Sequence, residues 1–314
     1  MSAASSAPSV SALDAAPAAT VRPPRVDAAA LQRHLRRSAG LEAPWLHQEV
    51  ARRMAERLQV VRSQPAAVLD WWSHAGAGAE LLRQAYPKAR LTAVEPAAAL
   101  PSDQRAPRWW QRLLGQAGTS VCSDAALPAE LAPAQLLWAN MMLHWIDDLP
   151  TLLQRWHAAI AADGFLMFSC FGPDTLRELQ GLHQALGWGP SHSAWIDMHD
   201  LGDELVHAGF ADPVMDMELL TLTWDSPARL LEELRGLGCN TAPARHTGLR
   251  GRRWRAALEA ELSERLRGPD GRLHLSFEIV YGHAFRPAPR PRVQAQTAIS
   301  LQDMREMTRR RSSN

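Results

Sequence analysis

The period of the hydrophobic pattern changes several times along this chain, and each change marks an element. In 47–62 (HQEVARRMAERLQVVR), Val50, Met54, Leu58 and Val61 recur at helical spacing between charged residues, which predicts an amphipathic helix. The run AAVLDWW at 66–72 predicts a short buried strand. A Gly-Ala segment and the helical run AELLRQAY follow, and Pro87 ends that helix. ARLTAVEP (89–96) predicts a second buried strand stopped by its own proline. Further strands are predicted at 119–124 (TSVCSD), 134–141 (AQLLWANM) and 164–172 (GFLMFSCFG). A helix over 148–161 precedes the last of these and joins it through the turn pair Asp163-Gly164.

Strands alternating with helices imply βαβ units and a mostly parallel, doubly wound sheet. The second half changes character. A helix over 198–208 ends at Gly209, which suits a helix C-cap. The strand 214–224 sets Val214, Asp216 and Glu218 against Met215, Met217 and Leu219. A helix over 226–238 has Ser226 as N-cap and Pro227 at its first position. The run 273–285 (LHLSFEIVYGHAF) predicts a final long strand. Two long strands after a parallel set predict an antiparallel edge, so the expected fold is an α/β, doubly wound, mostly parallel seven-stranded sheet. One domain is expected over 28–286. Residues 1–27 are Ala, Ser and Pro with little to bury, which predicts disorder. The tail 287–314 is rich in Pro and Arg, with a short helix expected at 298–310.

Composition narrows the function. The net charge of +1 over 314 residues gives no global pull toward nucleic acid or a membrane surface. Cys122, Cys170 and Cys239 are far apart and form no CxxC pair, so neither a disulfide framework nor a metal site is expected. No apolar stretch approaches the roughly 20 residues of a membrane span. The first twenty residues lack a basic start and a continuous apolar core, so the expected location is the cytoplasm.

In open α/β sheets, ligands bind outside the carboxyl ends of the strands. That directs attention to Asp70 through Gly78 after the first strand, Glu95 after the second, Asp124 after the third, and Asn140 through Trp145 after the fourth. A carboxylate ending the second strand can accept both hydroxyls of a ribose, and one after the third can accept from an adenine amino group. Each acid alone reads as a solvated loop residue; the two at successive strand ends have the spacing that a nucleoside requires.

From about Arg33 to Phe285, the chain resembles the class I S-adenosylmethionine-dependent methyltransferases. More specifically, it is similar to the malonyl-acyl carrier protein O-methyltransferase family of biotin synthesis. The resemblance is strongest in LLWANMMLHWIDDLPTLLQRWHAAIAADGFLMFSCFGPDTLREL and continues through DMHDLGDELVHAGFADPVMDMELLTLTW and EIVYGHAF. It implies S-adenosylmethionine as cofactor, bound by Asp70, Gly76, Gly78, Glu95, Asp124 and Asn140, with Glu95 on the ribose and Asp124 on the adenine. It implies that Asn140, His144 and Trp145 line the methyl-transfer site, and that the partner is an acyl carrier protein bearing a malonyl thioester. Arg177 and Arg245 are candidates to hold the malonyl carboxylate, because the planar guanidinium matches it. Tyr281 and His283 are candidates to line the acceptor pocket, and His199 to orient a helix start. A carrier protein is acidic, so the clusters Arg33, Arg36, Arg37 and Arg250, Arg252, Arg253, Arg255 suit its docking. Two other outcomes stay open: a non-catalytic relative that has lost the cofactor, and an enzyme like the related complex I assembly factor, with other chemistry such as arginine hydroxylation.

One departure bears on that choice. The family pattern after the first strand is Asp-x-Gly-x-Gly-x-Gly, and counted from Asp70 the glycine positions hold Trp72, His74 and Gly76. Glycine accepts positive φ and close approach where bulkier residues clash. Trp72 and His74 should fill the methionine pocket or push the loop outward, unless Gly76-Ala77-Gly78 makes the turn in a loop two residues longer. Trp71 and Trp72 could also simply cap the core.

Overall fold

The computed structural model describes residues 26–100, 120–125, 127, 131 and 133–289. Its first helix, α1 (Ala28–Ser38), is one the periodicity does not announce, because it buries only Ala30, His34 and Leu35. The Asp27 carboxylate caps it by accepting from the Ala30 amide, and Val26 is buried. Residues 26 and 27, which the sequence assigns to the leading segment, therefore pack with the domain. The rest of that segment and the predicted 298–310 helix lie outside the described residues.

Helix α2 (Trp45–Arg57) runs on as a 3-10 turn at Leu58–Val60 and buries Leu46, Val50 and Met54, so the predicted helix is present with its start two residues earlier. Strand β1 (Ala67–Trp71) leads into two short helices, α3 (Ser73–Gly76) and α4 (Ala79–Ala85), then β2 (Arg90–Glu95). Strands β3 (Ser120–Ser123) and β4 (Ala134–Ala139) follow. Helix α5 (Leu149–Ala159) is capped by Asp148 and precedes β5 (Ile160–Phe171). Asp163 takes φ 61° at the predicted turn. Helices α6 (Arg177–Ala185) and α7 (Met198–His207) come next. Then come β6 (Ala211–Trp224), α8 (Pro227–Leu237), α9 (Arg252–Arg265) and β7 (Leu273–Phe285). Ser226 caps α8 as expected, its side chain accepting from Arg229 N. Helices α6 and α9 are further elements that the pattern leaves unmarked; α9 buries only Leu258 and Leu262.

The seven strands form one sheet in the order β3-β2-β1-β4-β5-β7-β6. The first five are parallel, and β7 runs antiparallel between β5 and β6, which is the expected antiparallel edge. Alternation along the strands divides the core. Leu136, Trp138, Phe165 and Met167 face the side covered by α2, α4, α6, α8 and α9. Leu137, Ala139, Leu166 and Phe168 face the side covered by α1, α5 and α7. Along β6, Glu218 turns toward α2, where Arg53 pairs with it, while Met217 and Leu219 stay exposed. Among the described residues no helix is long and apolar enough to cross a membrane.

Candidate functional site

The carboxyl ends of β1, β2 and β4 form the rim, and the loop after β1 sits at its centre. Trp72 N still donates to Val94 O at 2.6 Å, continuing the ladder, and the chain then turns at once. Trp72 adopts φ 54°, ψ 47°, one helical turn follows (α3), and Ala77 adopts φ 54°, ψ 23°. The loop therefore turns through two left-handed residues, neither a glycine, at a cost of about 1–2 kcal/mol each. The glycines have another task. A Cβ on Gly78 would lie 2.4 Å from the Trp138 indole nitrogen, and one on Gly76 3.2 Å from Asn140 O. They let the loop lie directly on β4.

Asn140 holds it there. Its amide donates to Gly76 O at 2.6 Å and to His47 O at 2.8 Å, and its oxygen accepts from the Ser169 hydroxyl. His47, deep in α2, meets Ala75 O through Nδ1 at 2.9 Å. The loop is thus pinned from β4, β5 and α2 together.

The two bulky residues go opposite ways. Trp72 is 4% exposed: its indole N–H donates to Asp124 Oδ2 at 2.9 Å, and its ring meets Trp145 edge-on at 6.1 Å. His74 faces solvent, while its backbone N–H donates to Glu95 Oε1 at 2.8 Å. Trp72 thus packs inward while the His74 side chain points out, and the loop itself stays against β4. Trp71 packs as a core residue, fully buried and edge-on to Trp156 at 5.9 Å.

Three carboxyls crowd this side. Asp70 is fully buried; burial raises it to about 7 against the opposing Ser73 hydrogen bond, and its Oδ1 meets no partner among the described residues. Burial also lifts Glu95 to about 7, and the charges of Asp70 and Asp124 push the same way. Asp124 is raised, again by burial, against the hydrogen bonds from Trp72 and Ala97. Among the described residues, no three His, Cys, Asp or Glu side chains are grouped to hold a metal ion.

The other half of the rim is aromatic. After β4, Met141 takes φ 52° and Leu143–Trp145 form a 3-10 turn. His144 is buried among the rings of Phe171 (4.6 Å), Trp145 (5.2 Å) and Trp195 (6.3 Å). Both its ring nitrogens lack partners among the described residues, and burial holds its pKa well below the ordinary value, so the ring is neutral. Leu143, His144, Ile146 and Leu149 line a shallow cleft, partly open to solvent, together with Val26 and Ala194–Ile196. Helix α1 packs on the same aromatic side, with His34 edge-on to Trp145 at 4.6 Å.

Comparison with known proteins gives this geometry a lineage. The family profile described as Methyltransferase domain matches residues 45–212. The malonyl-[acyl-carrier protein] O-methyltransferase of Gallionella capsiferriformans is 41% identical over 250 residues, covering 78% of this chain and 85% of the relative. That of Laribacter hongkongensis is 42% identical over 256 residues, covering 79% and 84%. The chain belongs to the malonyl-[acyl-carrier protein] O-methyltransferase family. At the level of fold alone, the YcgJ protein of Bacillus subtilis superposes with a TM-score of 0.50 at 11% identity, over 77% of this chain and 100% of that one.

Within this O-methyltransferase family member, the structure brings together Asp70, Trp72, Glu95, Asp124, Asn140, His144 and Trp145, and keeps other sequence candidates apart. Arg177 lies half-exposed on α6 beside Asp174 and Glu178, each at 3.5 Å. Arg245 is committed to an ion pair with Asp27 at 2.6 Å. Tyr281 sits mid-sheet opposite Ser169, with the Arg57 guanidinium 3.7 Å above its ring. His283 pairs across from Met167, in register with Trp138 of β4, and packs against Phe165 and Phe285. His199 is exposed and meets Asp197, the cap of α7. In place of Tyr281 and His283, the cleft draws on Trp195 and Val26, which come from segments without periodicity. His47 and Ser169, which pin the loop, fall inside predicted elements and carry no signal of their task.

Proposed function

We propose that this protein is an S-adenosylmethionine-dependent O-methyltransferase that esterifies the free carboxylate of a malonyl group carried by an acyl carrier protein in the cytoplasm, for biotin precursor synthesis. The observation that carries the reading is the pairing, on one rim, of Glu95 and Asp124 at successive strand ends with the aromatic cleft around His144. Family membership over most of the chain supports the same assignment.

The donor set suits the cofactor. Carboxylates accept hydrogen bonds, and a nucleoside offers ribose hydroxyls and an adenine amino group as donors; Glu95 and Asp124 would hold these. Asp70 Oδ1 is an unmet buried acceptor beside the same loop. Two of these groups are engaged by the loop itself, Asp124 by the Trp72 indole and Glu95 by the His74 amide. Entry of the cofactor therefore requires Trp72 to release Asp124.

S-adenosylmethionine, when bound, supplies an electrophilic methyl group. The acceptor carboxylate is already ionised, so the protein need not remove a proton, and neutral His144 has no base to play. What the cleft contributes is alignment and removal of water from the carboxylate, with the rings of His144 and Trp195 in its wall and Trp145 and Phe171 packed behind His144.

The test uses malonyl-acyl carrier protein and methyl-labelled S-adenosylmethionine. The label should transfer to the carrier as a base-labile ester. Folded protein that leaves the carrier unlabelled would end the reading. In the same experiment Trp72→Phe, which keeps the bulk and loses the N–H, should bind the cofactor more tightly by calorimetry, because Asp124 Oδ2 no longer has an internal donor.

A further inference from the structure

Helix α1 carries three arginines, Arg33, Arg36 and Arg37, at i, i+3, i+4 spacing and hence on one face. All three are exposed, and none has a carboxylate partner among the described residues. The opposite face packs on the rim: His34 against Trp145, and Leu35 in the core beside Trp72. The chain just before the helix belongs to the cleft, because Val26 lines it and the Val26 amide donates to Asp147 Oδ1. At 1.5 Å per residue, the arginines lie about 9–15 Å along the helix from Asp27 at the cleft's edge. Burial raises the Cys239 thiol above its ordinary value, and Arg37, Arg245 and Arg33 nearby oppose that rise; the thiol sits against the Ala30 carbonyl. Arg245 is neutralised by Asp27, so the uncompensated charge belongs to α1. The helix carbonyl end favours Arg36 and Arg37 in the last turn but offers nothing to Arg33 in the middle.

The second basic cluster is placed differently. Arg250 lies 4.1 Å over the Trp254 ring and donates to Trp188 O, and Arg255 pairs with Glu259. Half of that cluster is spent on its own surroundings.

Resting on the proposed function, we propose that the outer face of α1 is the docking surface for the carrier protein, with Arg33, Arg36 and Arg37 meeting its acidic surface while the prosthetic arm enters the cleft past Val26. An acidic partner brought to this face delivers its arm to the edge of the cleft by the shortest route. Charge complementarity at an exposed rim acts on encounter and is screened by salt.

The experiment measures binding of acyl carrier protein to the full chain without cofactor, at low and at raised salt. The Arg33→Glu/Arg36→Glu/Arg37→Glu variant is compared with Arg252→Glu/Arg253→Glu on α9, both checked for an unchanged melting profile. The α1 variant should lose about ten- to hundredfold in affinity at low salt and most of the salt dependence, while the α9 variant stays near the parent. Equal binding by the α1 variant, an equal loss in the α9 variant, or no salt-sensitive binding by the parent would each overturn the proposal. Carrier binding without methyl transfer would sink the proposed function and leave the docking face standing. Wild-type KM for malonyl-carrier in the α1 variant would do the reverse.

Discussion

The two halves of the rim, a few residues apart in the fold, solve opposite problems. After β1, β2 and β3 the chain gathers three carboxyls and holds them with hydrogen bonds from Ser73, His74 and Trp72. After β4 it gathers aromatic rings around a histidine that has no hydrogen bond at all among the described residues. Both halves leave polar atoms unmet in buried surroundings, which costs stability. Under the proposed function, the acid half receives hydrogen-bond donors and the aromatic half strips water from a carboxylate. Such concentrated expense is expected where structure serves a ligand rather than the fold.

The comparison breaks first at Asp70. Its folded value of about 7 lies above the ordinary 3.8, so its contribution to stability is full below that lower value and is lost as pH rises through about 7. Glu95 acts in the same direction. Denaturant unfolding should therefore show stability falling from pH 4 to 8. Asp70→Asn should flatten that slope by as much as a few kcal/mol. A pH-independent parent would remove the crowding argument.

His144→Leu sharpens the other half. Replacing an unpartnered buried imidazole with an apolar side chain of similar size should leave the fold as stable or more so, by up to about 1–3 kcal/mol. Methyl transfer should fall if the ring meets the acceptor. Loss of stability in urea would mean that His144 has a structural partner.

The smallest effect concerns the loop between the halves. Ala77 sits at φ 54° in open left-handed geometry, so Ala77→Gly should stabilise by about 1 kcal/mol, read from the unfolding midpoint. A destabilised variant would show that the turn is not strained there.

Much of this was legible beforehand. All seven strands and the antiparallel edge follow from period, length and proline stops, since a strand buried on the sheet must be short and apolar whatever packs on it. Glu95 and Asp124 were legible because they follow strands whose ends define the rim. Helices α1, α6 and α9 were not, because each contributes only two or three buried residues to the core. Tyr281 and His283 look like pocket residues in one dimension. The antiparallel pairing of β7 sets His283 against Phe165 and Phe285 and leaves Tyr281 under Arg57.

By itself, the order of residues determined the elements, their parallel and antiparallel arrangement, and the departure from glycine at Trp72 and His74, because these depend on neighbours within a turn or a strand. Only the folded chain decided that the Trp72 indole turns inward to Asp124 while His74 turns out, that Gly76 and Gly78 lie close against Asn140 and Trp138, and that α1 packs on Trp145. Those outcomes rest on contacts between segments far apart in sequence, where a left-handed backbone angle at one residue redirects a whole side chain and no local pattern records which way.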